Sequence, residues 1–320
     1  MNQPMCDLIA EIEKLTKSRQ IGINWNDIPT EIKMKCVGKM DFKTGSRLRI
    51  CSKTDNYITD ATKCSIDRVF LDASPEHLQI TVAVDKFRDE FTVADSDQAV
   101  QCLKQVLKRG KIDQFWIHTQ NMKNEDLKMI SIVDIVNSTP SLCINYFAFS
   151  LDHALDVKIA ILEKSGQNLD EFGIELLSGG CKSRLEDVAK LPKVLAAKNI
   201  NLTSDQNGFC LITNEVAAYI VDKWIEMDAK IGGSLTMVAG ISLEIFEHYY
   251  KDRIITKNVE METIRIRTEN PEKHILIRNA GFGECSIVPH DYDDSACFEK
   301  LFAELLKSEH YNMVAFPEED

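Results

Sequence analysis

Residues 25–60 read WNDIPTEIKMKCVGKMDFKTGSRLRICSKTDNYITD, and this stretch has more apolar positions than it can bury by itself. Pro29 suits the first turn of a helix, because a first-turn N–H has no partner, and Asp27 before it is a candidate N-cap. At about 100° per residue, five side chains of that helix fall within about 120° of one another. They are Ile28, Pro29, Ile32, Cys36 and Met40.

A helix break is predicted at Asp41–Phe42, and Leu48 and Cys51 continue the apolar positions beyond it. A module of about 40 residues seldom stabilises itself without disulfides, a metal or a partner. We therefore expect residues 25–65 to lie against something else. Periodicity by itself leaves two choices, which are a separate polypeptide and the later part of this chain.

The same stretch resembles an F-box, the motif that docks onto the Skp adaptor of cullin–RING ubiquitin ligases. The resemblance is carried by Ile28-Pro29-x-Glu31-Ile32, Met40-Asp41-Phe42, Leu48 and Cys51. Trp25 and the run KMDFKTGSRLRICSKTD (39–55) are similar to the large nematode F-box family that carries an FTH domain. Two later segments, VDKWIEMDAKIGG (221–233) and RIRTENPEKHILI (265–277), resemble recurring parts of that domain, so the resemblance extends over residues 22–310.

This resemblance implies a substrate-recognition subunit of a Skp–cullin–RING E3 ubiquitin ligase that is not itself an enzyme. A Skp-family adaptor would contact six residues, and cullin and RING subunits would join through the adaptor. The six are Ile28, Pro29, Ile32, Cys36, Met40 and Leu48. The C-terminal domain would bind a protein target whose identity the sequence does not reveal.

Gly45 departs from the family pattern, in which this position usually has a bulkier residue. A glycine inside a helix costs about 1 kcal/mol relative to alanine, so a reduced adaptor affinity is predicted. The alternative function is therefore a non-degradative scaffold, or a decoy, with a weakened F-box.

The charge distribution limits the class of partner. The chain has 320 residues and a net charge of −12, which argues against general binding to nucleic acid or anionic membranes. Residues 1–65 hold 11 Lys/Arg and 8 Asp/Glu, so this part is +3 and the remainder is −15. A basic module suits an acidic partner, and the Skp adaptors of the resembling family are acidic.

Targeting signals are not evident in the sequence. No apolar run approaches the roughly 18 residues that span a membrane, and the N-terminal MNQPMCDLIAEIEK lacks the continuous apolar stretch of a secretory signal. We expect a location in the cytosol or the nucleus. The ten cysteines show no CxxC spacing, and a disulfide framework is not expected in such a chain.

The sequence divides into an N-terminal helix (5–18) with a linker (1–24 in all), the F-box (25–65), an FTH-like repeat domain (66–310) and a flexible tail (311–320). Beyond residue 65, strand patterns alternate with helical ones. Strands are expected at 66–72, 77–84 and 86–92, and from about 112, 142, 172, 198, 234 and 262. Helices are expected at 97–108, 125–137, 153–163 and 214–230.

A strand–helix unit that recurs every 25–36 residues is typical of a leucine-rich-repeat-like solenoid, because no single unit can bury its own apolar face. The literal consensus LxxLxLxxN is absent, so this interpretation rests on the period. A doubly wound parallel sheet is the competing α/β architecture. A hairpin (262–268 and 274–278), a third strand (285–288) and a helix (296–307) predict an antiparallel C-terminal cap.

Signatures of catalysis are not found. The sequence has neither GxSxG nor HExxH, and none of its seven histidines shows paired spacing. His290 with Asp291, Asp293 and Asp294 predicts a solvated loop rather than a metal site. We therefore expect no catalytic residue, cofactor or metal.

Overall fold

The computed structural model describes residues 24–84, 86, 89–119, 122–151, 154–165, 169–176, 187–204, 210–237, 240–279 and 282–293. The helices predicted at 5–18 and 296–307 and the predicted tail lie outside these residues. The described residues form a mixed α/β structure, in which three short helices precede a twelve-stranded sheet. No helix among them is both long enough and apolar enough to cross a bilayer.

The three N-terminal helices are α1 (Thr30–Val37), α2 (Phe42–Arg49) and α3 (Lys53–Ala61). Side-chain caps start the second and third of them. The Asp41 carboxylate accepts a hydrogen bond from the Thr44 amide at 2.6 Å, and the Ser52 hydroxyl accepts one from the Asp55 amide at 3.0 Å. The break predicted at Asp41–Phe42 is thus confirmed, since α2 begins there.

The predicted start of α1 is wrong. Asp27 belongs to a 3₁₀ turn, Trp25–Asp27, and the residue that precedes α1 is Pro29, whose backbone is extended at φ −54° and ψ 144°. Helix α1 also ends at Val37, so Met40 lies in the turn after it. The apolar positions predicted for one continuous helical stripe therefore come from a turn, a short helix and a second turn.

The strands are β1 (Cys64–Ala73), β2 (Leu78–Val84), β3 (Asp89–Val93), β4 (Gly110–Thr119), β5 (Cys143–Ser150), β6 (Glu171–Leu176), β7 (Asn199–Ser204), β8 (Ser234–Met237), β9 (Ile254–Asn258), β10 (Thr263–Arg267), β11 (Lys273–Asn279) and β12 (Gly283–Pro289). Their order across the sheet is β3-β2-β1-β4-β5-β6-β7-β8-β12-β11-β10-β9. The six strands β1, β4, β5, β6, β7 and β8 are neighbours in that order and pair in parallel. The strands on both flanks of these six pair antiparallel.

The helices that follow are α4 (Ser96–Arg109), α5 (Leu127–Ser138), α6 (Leu155–Lys164), α7 (Pro192–Leu195), α8 (Cys210–Glu226) and α9 (Leu243–Tyr249). Helices α4 to α8 lie in the crossovers between successive parallel strands. The parallel strands β1, β4, β5, β6, β7 and β8 follow one another across the sheet in one direction, whereas a doubly wound sheet reverses its order at a switch point. Right-handed crossovers without a reversal place their helices on one face of the sheet.

The buried face of the parallel strands has a spacing that the sequence analysis did not recognise. In each strand, or starting just before it, apolar residues occupy the first, fourth and sixth positions of a hexamer. They are Ile66, Val69 and Leu71; Ile112, Phe115 and Ile117; Ile144, Phe147 and Phe149; Leu169, Phe172 and Ile174; Ala197, Ile200 and Leu202; and, for the fourth and sixth positions of β8, Leu235 and Met237. The fourth residues pair with one another from strand to strand, as do the sixth, so the core consists of continuous apolar columns.

The C-terminal flank of the sheet is antiparallel, as predicted. Strands β10 and β11 form the expected hairpin, with Ile264 opposite Ile277, and β12 joins β11 to β8. Helix α9 and strand β9 complete this flank, although the sequence patterns did not indicate either of them.

Candidate functional site

Three apolar side chains of the N-terminal module (residues 24–63) face inward, and one of them, Phe42, joins the main core of the chain. Val37 of α1, Phe42 of α2 and Ile58 of α3 are 1%, 2% and 0% exposed. All three lie in or beside the helices that the apolar pattern predicted, but none belongs to the six residues predicted for adaptor binding. The structure therefore separates an inward-facing set of apolar side chains from a second set.

The second set is the six predicted residues, and none of them is buried. Ile32 is 45% exposed. Pro29 is also exposed, and the remaining four, Ile28, Cys36, Met40 and Leu48, are half-buried. The described part of the chain thus leaves Pro29 and Ile32 uncovered and the other four partly accessible, so the described strands and helices do not seal the apolar stripe.

Two further apolar side chains of the module were missed by the sequence analysis. Ile50 is 82% exposed and Tyr57 is 68% exposed. Ile50 follows the last residue of α2, and Tyr57 lies on α3. Apolar residues are visible in this stretch of the sequence. The direction in which their side chains point depends on where α2 ends, and a helical period does not define that end. Both add to the apolar side-chain area that the module exposes.

Trp25 holds the entry to α1 in place. Its indole Nε1 donates a hydrogen bond to Asp55 of α3 at 2.7 Å, and the Lys33 ammonium lies 5.7 Å from the centre of its ring. Hydrogen bonds from Trp25 and from the Ser52 hydroxyl lower the pKa of Asp55. Because Trp25 is tied to α3, the 3₁₀ turn is fixed and Ile28 and Pro29 are positioned before α1.

Salt bridges attach the module to the rest of the chain. The Asp60 carboxylate contacts Arg49 Nε at 2.8 Å within the module and Lys108 Nζ of α4 at 2.6 Å. The Lys63 ammonium donates to the Lys108 carbonyl at 2.7 Å. Burial by itself would raise the pKa of Asp60, but the hydrogen bonds from Arg49 and Lys108 outweigh it and the pKa is lowered.

Aromatic and cationic groups form the buried part of the same junction. The rings of Phe42 and Phe91 are stacked with centroids 6.1 Å apart, and the Arg109 guanidinium lies 5.6 Å from the Phe42 ring centre. Arg109 is 1% exposed, and among the described residues its Nε and Nη1 have no hydrogen-bond partner. Burial accordingly lowers the pKa of the Arg109 guanidinium. Gly45 faces the Arg109 guanidinium, so the absence of a side chain at position 45 leaves room for that group at the junction.

One cluster of titratable groups lies outside the module. Asp72 contacts His118 Nδ1 at 3.1 Å and His77 Nε2 at 3.3 Å, and the Ser74 hydroxyl lies 2.8 Å from His77 Nδ1. Ser74 accepts hydrogen bonds from the amides of Glu76 and His77, which identifies it as a turn residue. Sequence spacing could not reveal this cluster, because Asp72 and His118 meet only as cross-strand partners.

Within the described residues, no group of three or more His, Cys, Asp or Glu side chains has the arrangement of a metal site. His290 contacts Glu272 at 3.3 Å, and both are exposed, as expected for a solvated loop. The N-terminal module therefore remains the candidate site. No protein-family model matches the chain, and no curated protein matches it at a significant level.

Proposed function

We propose that this protein is the substrate-recognition subunit of a Skp–cullin–RING E3 ubiquitin ligase. Its N-terminal module would bind a Skp-family adaptor, and cullin and RING subunits would join through that adaptor in the cytosol or nucleus. One observation carries the proposal: Ile32, at the centre of the F-box-like motif, is 45% exposed while Val37, Phe42 and Ile58 of the same module are buried.

The size of the apolar contribution can be estimated. Completely burying a side chain of this size stabilises by about 1.5–3 kcal/mol. Ile32 is about half exposed and Ile28, Met40 and Leu48 less so, which leaves at most about 4 kcal/mol from the four together. Association costs consume much of such a gain. The adaptor must therefore also use Ile50 and Tyr57, or charged contacts that suit the basic module.

We further propose that residues 66–293 form a leucine-rich-repeat-like solenoid with an antiparallel cap. These apolar positions match the LxxLxL part of that repeat when phenylalanine, isoleucine, valine, methionine and alanine are allowed in place of leucine, with Gly232 at the first position of the last unit. The unreversed strand order and the helical crossovers support the same architecture. Strands β9 to β12 cover the last parallel strand, as a terminal unit must.

Catalysis by such a subunit is by proximity, and the chain contributes binding alone. The module holds the adaptor while the repeat domain holds the target. A ubiquitin-loaded enzyme elsewhere in the assembly then meets a target lysine at a high effective concentration. The rigid attachment of the module through Asp60 and Lys108 keeps the two binding surfaces in a defined relation.

Co-elution with a purified Skp adaptor in size-exclusion chromatography tests the proposal. The wild type should co-elute, and Ile32→Asp should abolish co-elution because a carboxylate cannot be buried unpaired. Ile130→Asp is a matched control, since Ile130 is 43% exposed and lies on the helix α5. The proposal is wrong if the wild type does not bind, or if Ile32→Asp binds as well as Ile130→Asp.

The scaffold or decoy alternative rested on Gly45. In the structure Gly45 is buried against Arg109, so packing at the junction accounts for a glycine at this position. The reduced affinity for the adaptor that Gly45 predicts stays a prediction. Adding cullin to the adaptor complex separates the two functions, because a ligase subunit recruits cullin and a decoy leaves it unbound.

A further inference from the structure

The parallel strands have an open face opposite the apolar columns. The open face consists of the residues of β1 and β4 to β8 that alternate, along each strand, with the buried fourth and sixth positions of the hexamer. Trp116 on β4 and Tyr146 on β5 are half-buried there, with their ring centroids 5.2 Å apart and an angle of 52° between the rings. These two aromatic side chains form a platform, and the half-buried Phe70 of β1 lies beside it as the register partner of Trp116.

Small residues make room for the platform. Trp116 pairs with Ala148 of β5, and Ala148 pairs with Gly173 of β6. A Cβ at Gly173 would lie 2.7 Å from the Tyr146 hydroxyl oxygen and 2.9 Å from the Ala148 Cβ. The Tyr146 side chain therefore extends across β6 directly over Gly173. An alanine at this position would displace the tyrosine.

Carboxylates border the platform. Glu171 and Glu175 lie two residues before and after Gly173, so all three share one face of β6. Glu171 is exposed, and one of its carboxylate oxygens accepts a hydrogen bond from Asn199 Nδ2 at 3.1 Å. Asn199 is in turn held by the Ser234 hydroxyl at 2.9 Å. This chain of hydrogen bonds orients the Glu171 carboxylate.

Acidic residues also dominate the wider surface. The seven-residue segments that start at 66, 112, 144, 169, 197 and 232 hold six Asp/Glu and two Lys/Arg. The two cations are Lys198, directly before β7, and Arg68, on the open face of β1, whose Nε donates to Gln114 Oε1 at 3.4 Å. On β4 to β8, the charged described residues of the open face are Glu171 and Glu175. The field over the platform is therefore negative.

We propose that the open face binds an arginine- or lysine-rich segment of a partner protein. Aromatic faces attract guanidinium and ammonium groups, and the flanking carboxylates complement the same charges. Nucleic acid is negatively charged, as this surface is, and is therefore repelled by it. This inference does not depend on adaptor binding. Where the proposed function holds, the inference defines the chemical class of the ligase target.

Binding of labelled peptides by fluorescence anisotropy tests this assignment at about 0.15 M salt. The probes are a peptide of alternating arginine and serine and a peptide of alternating glutamate and serine. The arginine peptide should bind and the glutamate peptide should not. Glu171→Gln/Glu175→Gln should weaken binding of the arginine peptide by about tenfold, and Trp116→Leu should weaken it by about three- to fivefold.

Glu163→Gln/Glu260→Gln is the matched control, since it removes the same charge at two exposed positions that are not on the open face. Circular dichroism verifies that each variant is folded. Equal binding of both peptides overturns the proposal, as does a loss in the Glu171/Glu175 variant that is no greater than in the control. Ile32→Asp should leave peptide binding unchanged, so failure of adaptor docking and failure of this site are distinguishable.

Discussion

Gly45 lies directly beneath the guanidinium group of Arg109, and a Cβ at position 45 would be 2.8 Å from Arg109 Nη2. Gly45 is in the middle of α2, and Arg109 is the last residue of α4. The contact therefore joins the N-terminal module to the first helix of the larger part of the chain.

Gly45→Ala is expected to destabilise the protein by about 1 kcal/mol. Alanine gains about 1 kcal/mol of helix propensity over glycine, but overpacking beside a buried group costs about 1–3 kcal/mol. In an Arg109→Met background the same substitution should become stabilising. A double-mutant cycle by urea unfolding should give a coupling of about 1–2 kcal/mol. A stabilising effect of Gly45→Ala in the wild type would contradict this account of the junction.

Asp60→Asn should destabilise the protein by about 1–3 kcal/mol near neutral pH, because hydrogen bonds from Arg49 and Lys108 lose their charged acceptor. The folded-state pKa of Asp60 is lowered, so its contribution is present above the ordinary carboxyl pKa of about 4 and is lost as the pH falls further. Unfolding free energies of the two proteins should therefore converge at acidic pH. Asp89→Asn, at an exposed edge position, is the control and should show no such convergence.

Truncation of two neighbouring residues on β5 should destabilise the protein to different extents. Phe147 is fully buried and contacts the rings of Phe115, Phe149 and Phe172 at 5.7, 5.4 and 6.4 Å. Phe147→Ala should cost about 3–5 kcal/mol. Tyr146→Ala should cost about 1 kcal/mol, since its side chain is on the open face. Equal losses in thermal or urea unfolding would show that both faces of the sheet are covered.

Cysteine alkylation should follow burial. Burial raises the pKa of the Cys102 thiol to about 11, and it also raises the pKa of Cys64 and of Cys285. Cys51 is exposed in the N-terminal module. Among the described cysteines, iodoacetamide with peptide mapping should modify Cys51 first, the half-buried Cys102 slowly, and the buried Cys64 and Cys285 only on unfolding. Bound adaptor should slow alkylation of the half-buried Cys36, and an unchanged rate would count against the proposed docking surface.

Local patterns predicted most of the elements because their physical causes are local. Alternating and helical periods lie within each segment, and β8 begins at Ser234 as expected. The predicted helix 97–108 corresponds to Ser96–Arg109, which the Asp95 carboxylate caps through the Gln98 amide at 2.9 Å. The register of the hairpin β10–β11 also follows from its apolar alternation.

The errors arose where distant residues decide a local conformation. The Trp25–Asp55 hydrogen bond joins residues 30 positions apart and keeps Trp25–Asp27 in a 3₁₀ turn. A reading of local capping signals assigned Asp27 to the start of the helix instead. The repeat spacing was overlooked for a different reason, since Phe115 and Phe172 occupy positions where a leucine consensus was sought.

The sequence by itself determined the alternation of strands and helices, the acidic balance of the chain and the apolar excess of residues 25–60. Each of these is a property of composition or of short-range period. Only the tertiary structure decided which apolar side chains stay uncovered, why Gly45 has no side chain and that Tyr146 lies over Gly173. Those outcomes depend on contacts between segments far apart in the chain, and the direction of a side chain is defined only when its neighbours are in place.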